Sequence, residues 1–298
     1  MTQVGFIGLG IMGRPMAGHL MKAGHKLATV KHKKALPEEI IGAGAVVCAS
    51  AKEVAEKSEV IILMVPDTPD VEAVLFGAGG VEQGLAKGKL VIDMSSISPT
   101  ATRAFAKRIN DKGCDYLDAP VSGGEVGAKG AALTIMVGGP ERAFARAKPL
   151  FELMGKSITL IGTNNGDGQT CKVANQIVVA LTIEAVAEAL VFAAKAGADP
   201  AKVRQALMGG FAGSRILEVH GQRMIERTFN PGFRIELHQK DLGLALSAAR
   251  ELGLSLPNTA TAQELFNACA AMGGRGWDHS GMVQALERLA GHEVAKKA

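Results

Sequence analysis

Aromatic residues are scarce in this chain: one Trp, one Tyr and ten Phe among 298 residues. Stacking platforms for single-stranded nucleic acid need such rings, so the composition argues against that partner. Charge of one sign is equally thin, with 33 Lys and Arg against 29 Asp and Glu. A net charge of +4 is neither the basic footprint of a nucleic-acid binder nor an anchor for an anionic membrane. The four cysteines, Cys48, Cys114, Cys171 and Cys269, form no CxxC pair. That pattern speaks against a zinc knuckle and against a disulfide framework, and reduced thiols in a cytoplasmic chain are the expectation. The seven His residues show no HxxxH or HxH spacing, so no metal is expected. Unbroken apolar runs such as Val60–Val65 fall far short of the roughly 18 residues of a membrane span. Met1–Gln3 runs straight into the apolar Val4–Leu9 stretch with no basic leader, and no signal peptide is expected.

What the chain does have is apolar material, 47% of its residues, enough for about two ordinary domains. The first half alternates short β-rich runs with helical stretches. Val4–Ile7, Leu27–Val30, Ala45–Val47, Val60–Val65 and Leu90–Asp93 read as strands, followed by Tyr116-Leu117, Leu133–Val137 and Ile158–Ile161. Apolar strands separated by helices predict a mostly parallel, doubly wound sheet covered on both faces. The pattern changes at Thr163–Gly168, a polar break rich in Asn and Gly. From there to Ala196 nothing breaks a helix, and Asp199-Pro200 supplies an N-cap and first-turn pair for the next one. The expected architecture is an α/β Rossmann domain at 1–163 and an all-helical substrate and oligomerisation domain at 164–298, joined by a long interdomain helix.

Three segments carry chemistry. Gly8-Leu9-Gly10-Ile11-Met12-Gly13 is a G-x-G-x-x-G run between the first strand and the first helix, the context of a dinucleotide fingerprint. The glycines serve the tight turn, backbone approach to a pyrophosphate and helix–strand packing, and the helix start offers free N–H groups to the anion. The competing reading is a glycine turn without a ligand. An NAD-type site usually has an acid about 20 residues further on to accept from the ribose 2′-OH. Here Lys31-His32-Lys33-Lys34 follows Val30, and no acid occurs before Glu38. NADP(H) is therefore the preferred expectation, with NAD(H) left open and a solvated basic loop as the bland reading.

On the long helix, Lys172, Asn175, Gln176 and Val179 share one face. A Lys near the start of an apolar helix is badly placed for the helix dipole, which favours a functional role over a side chain snorkelling from a surface helix. Upstream, Asp118-Ala119-Pro120-Val121-Ser122-Gly123-Gly124 follows a strand. Its Ser122–Gly124 amides and hydroxyl read as a carboxylate nest or as a plain turn. Cys171 lacks a local basic partner and reads as a small packed residue, and His238 as a packed or surface histidine.

Gly8–Gly13 with Met16, Asp118–Gly124, Gly168-x-x-x-Lys172-x-x-Asn175 and Lys240-Asp241 together resemble the 3-hydroxyisobutyrate dehydrogenase-related family of β-hydroxyacid dehydrogenases. The similarity spans nearly the whole chain in the same order. It implies Lys172 as catalytic acid/base, Asn175 as its helix partner and Ser122, Gly123 and Gly124 as the substrate-carboxylate loop. It also implies cofactor contacts from Val65-Pro66, Ser96 and Lys240, beside Gly8–Gly13 and Lys31. Within the family, Ser122–Glu125, Gly209–Ser214 and Asn230–Phe233 most resemble members that reduce tartronate semialdehyde to D-glycerate. The implied partners are a small semialdehyde or hydroxyacid and further copies of the chain in a homodimer or homotetramer. Two departures stand out: His19 replaces a common Asn on the first helix, and Gln176 replaces the second Asn of Lys-x-x-Asn-Asn. The latter leaves open which amide holds the substrate. Rival readings are the same chemistry on 3-hydroxyisobutyrate, glyoxylate or succinic semialdehyde, and a non-catalytic dinucleotide sensor.

Overall fold

A computed structural model of the chain describes residues 1–31 and 35–295. Two compact units emerge, Met1–Lys172 and Val173–Ala298. His32, Lys33 and Lys34 of the basic segment lie outside the described residues.

The first unit is an alternation of strands and helices. Its strands are β1 (Gln3–Ile7), β2 (Lys26–Val30), β3 (Val46–Cys48), β4 (Val60–Leu63), β5 (Leu90–Asp93), β6 (Asp115–Asp118), β7 (Val121–Ser122), β8 (Leu133–Gly138) and β9 (Gly155–Gly162). The intervening helices are α1 (Gly13–Lys22), α2 (Glu38–Gly42), α3 (Ala51–Glu56), α4 (Thr68–Phe76), α5 (Pro99–Asn110), α6 (Gly124–Lys129) and α7 (Glu141–Phe151). Strand order is β3-β2-β1-β4-β5-β6-β8-β7, with β9 also paired to β8. The pairs from β3 through β6 are parallel, whereas β6 and β7 meet β8 antiparallel. The order reverses between β1 and β4, where Val4 faces Val60 and Ile7 faces Leu63. This is the switch point beside which doubly wound sheets bind ligands.

Strand composition explains the layering. Along β4, Val60 and Ile62 enter one core while Ile61 and Leu63 enter the other, as a period of two requires. Both faces are buried, which is why the strands read as unbroken apolar runs. The expected strands all form, with ends shifted by a few residues. β7 is an addition: Val121-Ser122, expected only as turn or nest, pairs with Ile135 and Thr134 of β8.

The helix α8 (Asp167–Lys195) begins in the first unit and continues into the second. The second unit holds α9 (Pro200–Met208), α10 (Arg215–Glu226), α11 (Ile235–Glu251), α12 (Pro257–Ala271) and α13 (Val283–Ala290). Asp199 caps α9 by accepting from the Ala201 and Lys202 amides, and Ser214 caps α10 through the Leu217 amide. Ala180, Ile183, Ala187 and Leu190 of α8 are fully buried at helical spacing. They pack with Leu217, Leu242, Phe266, Cys269 and Val283 in the second core. By length and composition α8 could cross a membrane, with a mean hydropathy of 2.2 in its most apolar window. The buried stripe accounts for part of that composition, because the protein itself covers that apolar face.

Replacing Ile183 by Ala should remove about 2–5 kcal/mol of stability. Trp277 is the sole tryptophan and packs against the same core, so its fluorescence during urea unfolding reads the change. A loss below about 0.5 kcal/mol, the usual range for surface sites, would contradict the packing described.

Candidate active site

The glycine turn leaves β1 at the carboxyl edge of the sheet. Gly8 has φ +103°, and a Cβ there would strike the Met64 carbonyl at the end of β4. A Cβ on Gly13 would strike the Gly8 carbonyl, so the start of α1 packs directly on the turn. Gly10 differs: a Cβ there would meet no described protein atom within 4 Å. Protein packing does not demand a glycine at that point, whereas close backbone approach by a pyrophosphate does. No side chain caps α1, which leaves its N-terminal end to an anion. Met16 is fully buried under the turn, with Leu9 and Met12 packed against the same core. Ile11 is exposed. These residues fit a dinucleotide. Lys31 is exposed just beyond β2, on the neighbouring strand. His19 Nε2 donates to the Ala128 carbonyl at 3.0 Å, tying α1 to α6; a carbonyl only accepts, so Nε2 carries the proton.

The segments after β4 and β5 lie on the same edge. The Val65 amide donates to Ser95 Oγ at 3.0 Å, and the Ser95 amide donates to Asp93 Oδ1 at 2.9 Å. Ser95 is buried, Ser96 and Val65 are half-buried and Pro66 is exposed. After β6, Ser122 closes the short β7 and is half-buried. Gly123 follows at φ +130° and Gly124 at φ +58°, a conformation that favours glycine.

Lys172 stands on the second turn of α8 and is only 6% exposed. Such burial excludes the snorkelling surface lysine. The start of α8 is held at the same sheet edge, with Asp118 accepting from the Gly166 amide at 2.7 Å and the Gln169 amide at 2.9 Å. Burial, opposed by these hydrogen bonds and reinforced by Asp93, pushes the Asp118 carboxyl up to about 6. Tyr116, wholly buried and donating to Asp93 Oδ2, is pushed well above the ordinary phenol value by burial and then by Asp93. Gly8–Gly13, Val65, Ser96, Ser122–Gly124 and Lys172 thus all belong to elements meeting at one edge of the first unit.

Asn175 and Lys240 belong to the second unit. Asn175 donates to Gln176 Oε1 at 2.7 Å, and Gln176 Nε2 donates to Asp241 Oδ2 at 2.6 Å. Gln176 is 4% exposed, with both ends of its amide engaged. It therefore supports Asn175 from below, which makes Asn175 the better candidate to meet a ligand. Lys240 pairs with Asp241 at 3.0 Å.

A histidine cluster in this unit had no sequence signal, because His220, His238 and His279 are far apart in the chain. His220 Nε2 lies 3.1 Å from His279 Nε2, His279 Nδ1 lies 3.0 Å from His238 Nδ1, and His238 Nε2 lies 3.1 Å from the Gln176 carbonyl. Of the two expectations for His238, packed or surface, the structure shows the packed one, fully buried. His220, Asp278 and His279 come close enough to hold a metal. Protein donors already serve that carboxylate: Arg223 at 2.9 Å, Ser280 Oγ at 2.6 Å and the Gly232 amide at 2.9 Å. Burial raises the Asp278 carboxyl, but hydrogen bonding from His220 and the other donors outweighs it and holds the group far below the usual carboxylate range. Burial, then the neighbouring imidazoles, depress His279 well below the histidine range. Asp278 accepts from both the Gly232 and the Phe233 amide and so holds that backbone.

Known proteins resemble the chain along nearly its whole length. Residues 3–162 match the model of the NAD binding domain of 6-phosphogluconate dehydrogenase, and residues 166–286 match that of the NAD-binding domain of NADP-dependent 3-hydroxyisobutyrate dehydrogenase. The chain is 64% identical over 293 residues to the 2-hydroxy-3-oxopropionate reductase of Escherichia coli, covering 98% of this chain and 100% of that one. It is 36% identical over 274 residues to the 3-hydroxyisobutyrate dehydrogenase of Pseudomonas aeruginosa, covering 90% and 92%. A solved 3-hydroxyisobutyrate dehydrogenase of Mycobacterium tuberculosis, determined with L-serine, superposes with a TM-score of 0.88 at 33% identity, covering 96% and 99%. With a dinucleotide turn, a buried helix-borne lysine and these relatives in hand, the chain belongs to the 3-hydroxyisobutyrate dehydrogenase-related family of NAD(P)-dependent β-hydroxyacid dehydrogenases.

Proposed function

We propose that this protein reduces tartronate semialdehyde to D-glycerate with NAD(P)H, using Lys172 as the proton donor. The observation that carries the mechanism is the burial of Lys172, 6% exposed, at the sheet edge that bears the glycine turn. The choice of substrate leans on 64% identity to the Escherichia coli 2-hydroxy-3-oxopropionate reductase. A dinucleotide held by the glycine turn would supply the hydride that the aldehyde carbon takes up. As negative charge develops on the carbonyl oxygen, the Lys172 ammonium stabilises it and donates a proton. In the reverse direction the neutral amine accepts the hydroxyl proton. Ser122, Gly123 and Gly124 hold the substrate carboxylate and so fix the face presented for transfer, an orienting effect worth up to ~7–11 kcal/mol. Asn175, held from behind by Gln176, orients the lysine or a substrate hydroxyl.

The cofactor set in this proposal is Gly8–Gly13, Lys31, Val65, Pro66, Ser96 and Lys240. Lys31 and the lack of an acid before Glu38 favour NADP(H) over NAD(H), because a 2′-phosphate gains a cation while a 2′-hydroxyl loses its usual acceptor. A cytoplasmic setting and self-association through the helical unit belong to the same proposal. Phe192 and Leu289, 75% and 77% exposed, border an apolar groove on α8 and α13 suited to a second copy of the chain.

Lys172→Ala should fold and bind cofactor yet lose at least ~10²-fold in turnover, measured by nicotinamide absorbance with tartronate semialdehyde. Turnover near that of the wild type would discard the mechanism. The same assay run with 3-hydroxyisobutyrate, glyoxylate and succinic semialdehyde tests the substrate, and a clear preference for any of these would overturn that assignment. Replacing Lys31 and Lys33 together by Ala should raise the KM for NADPH by about tenfold, the worth of one charged hydrogen bond, and leave NADH nearly unchanged. Equal effects on both cofactors would remove the case for NADP(H).

A further inference from the structure

Gln169 is fully buried, and both ends of its amide are engaged. Its Nε2 donates to the Ser95 carbonyl at 2.7 Å, and its Oε1 accepts from the Ile97 amide at 3.1 Å. One amide therefore brackets Ser96 on both sides, and each end has only one chemically allowed orientation, since a carbonyl accepts and an N–H donates. Asp118, at the end of β6, performs the matching task on the other side. Its two oxygens accept from the Gly166 and Gln169 amides at the start of α8, which the helix itself leaves unpaired. The approach is close: a Cβ on Gly168 would lie 2.5 Å from the Met136 carbonyl and 2.8 Å from the Asp118 carbonyl. A Cβ on Gly138 would lie 2.5 Å from the Gly168 amide and 2.9 Å from both Asp118 oxygens. Lys172 follows Gln169 by three residues and Gly168 by four, so it rises from the same helix face.

We propose that Asp118 and Gln169 are positioning residues for Lys172: they seat the first turn of α8 on the ends of β5 and β6 and so set the ammonium against the Ser96 and Ser122 segments. Neither acts on the substrate. The inference rests on Lys172 being the proton donor, and it adds that the lysine is effective only while this seat is intact. The ionised form of Asp118 accepts strongly from both amides, whereas protonation makes one oxygen a hydroxyl, a weaker acceptor for the amide it faces. Since the carboxyl titrates at about 6, turnover should fall as pH drops through that value. The groups facing Asp118 are Asp93 on β5, which raises it, and Tyr116 on β6, which bonds Asp93. Asp167 at the start of α8 is turned away to the Asn164 amide.

Two near-isosteric variants, Asp118→Asn and Gln169→Met, test the proposal in the full-length protein. Both should lose ~10- to 10²-fold in kcat, the effect of roughly an ångström of misplacement; in Asp118→Asn, which leaves the Ser96 segment attached, the Kd for NADPH stays within about twofold, a margin well under 1 kcal/mol. Amide hydrogen exchange should quicken at the start of α8, and Asp118→Asn should lack the acidic limb of the pH–kcat profile. Should Asp118→Asn fail to fold, Gln169→Met and the wild-type pH profile decide the matter. Wild-type kcat in Gln169→Met, or a wild-type profile flat through pH of about 6, would overturn the proposal. The parallel Lys172→Ala variant separates the two claims: an inactive Lys172→Ala beside a fully active Gln169→Met sinks the seat alone, while an active Lys172→Ala sinks the mechanism beneath it.

Discussion

The start of α8 can lie against β6 and β8 only because Gly138 and Gly168 carry no side chains and because a buried carboxylate takes up the amides exposed there. Helix amides buried without acceptors would each cost about 1–3 kcal/mol, so the close approach and the carboxylate depend on one another. The same first turn of α8 carries Gln169, which attaches the Ser95–Ile97 segment, and the helix continues from there into the second unit.

Buried polar groups in the first unit are linked to one another. Tyr116 donates to Asp93, Asp93 accepts from the Ser95 amide, and Ser95 accepts from Val65. The first bond joins β6 to the end of β5, the second turns the chain back on the end of β5, and the third ties the segment after β4 to the segment after β5. Apolar strands supply the bulk of the burial, while these bonds fix the loops at the carboxyl edge, where doubly wound sheets carry their ligands. The second unit repeats the device with different residues: Asp278 gathers Arg223, Ser280 and the Gly232 amide to fix a loop that apolar packing alone would leave loose.

Much of this was legible in the sequence because its signals are local. The glycine turn is contiguous and flanked by an apolar strand and a helix, and strand spacing announces a parallel sheet. Lys172 stood out as a cation near the wrong end of an apolar helix, and its burial makes that placement costlier still. What escaped notice depends on distance along the chain. Gln169 bonds partners more than seventy residues away, and nothing near it marks a buried amide. His220, His238 and His279 form a chain of imidazoles that their spacing hides. β7 is only two residues long, too short for a period of two to register. The bond from Gln176 to Asp241 likewise joins residues 65 apart, and nothing in the adjacency of Asn175 and Gln176 announces it.

Chemical rescue addresses the claimed role of Lys172 most directly. In the Lys172→Ala enzyme with NADPH bound, small primary ammonium ions should restore semialdehyde reduction in proportion to their concentration, with the more acidic ammonium ions of similar size working faster. Turnover indifferent to every amine tried, in a folded enzyme that still binds NADPH, would contradict a proton donated from this position.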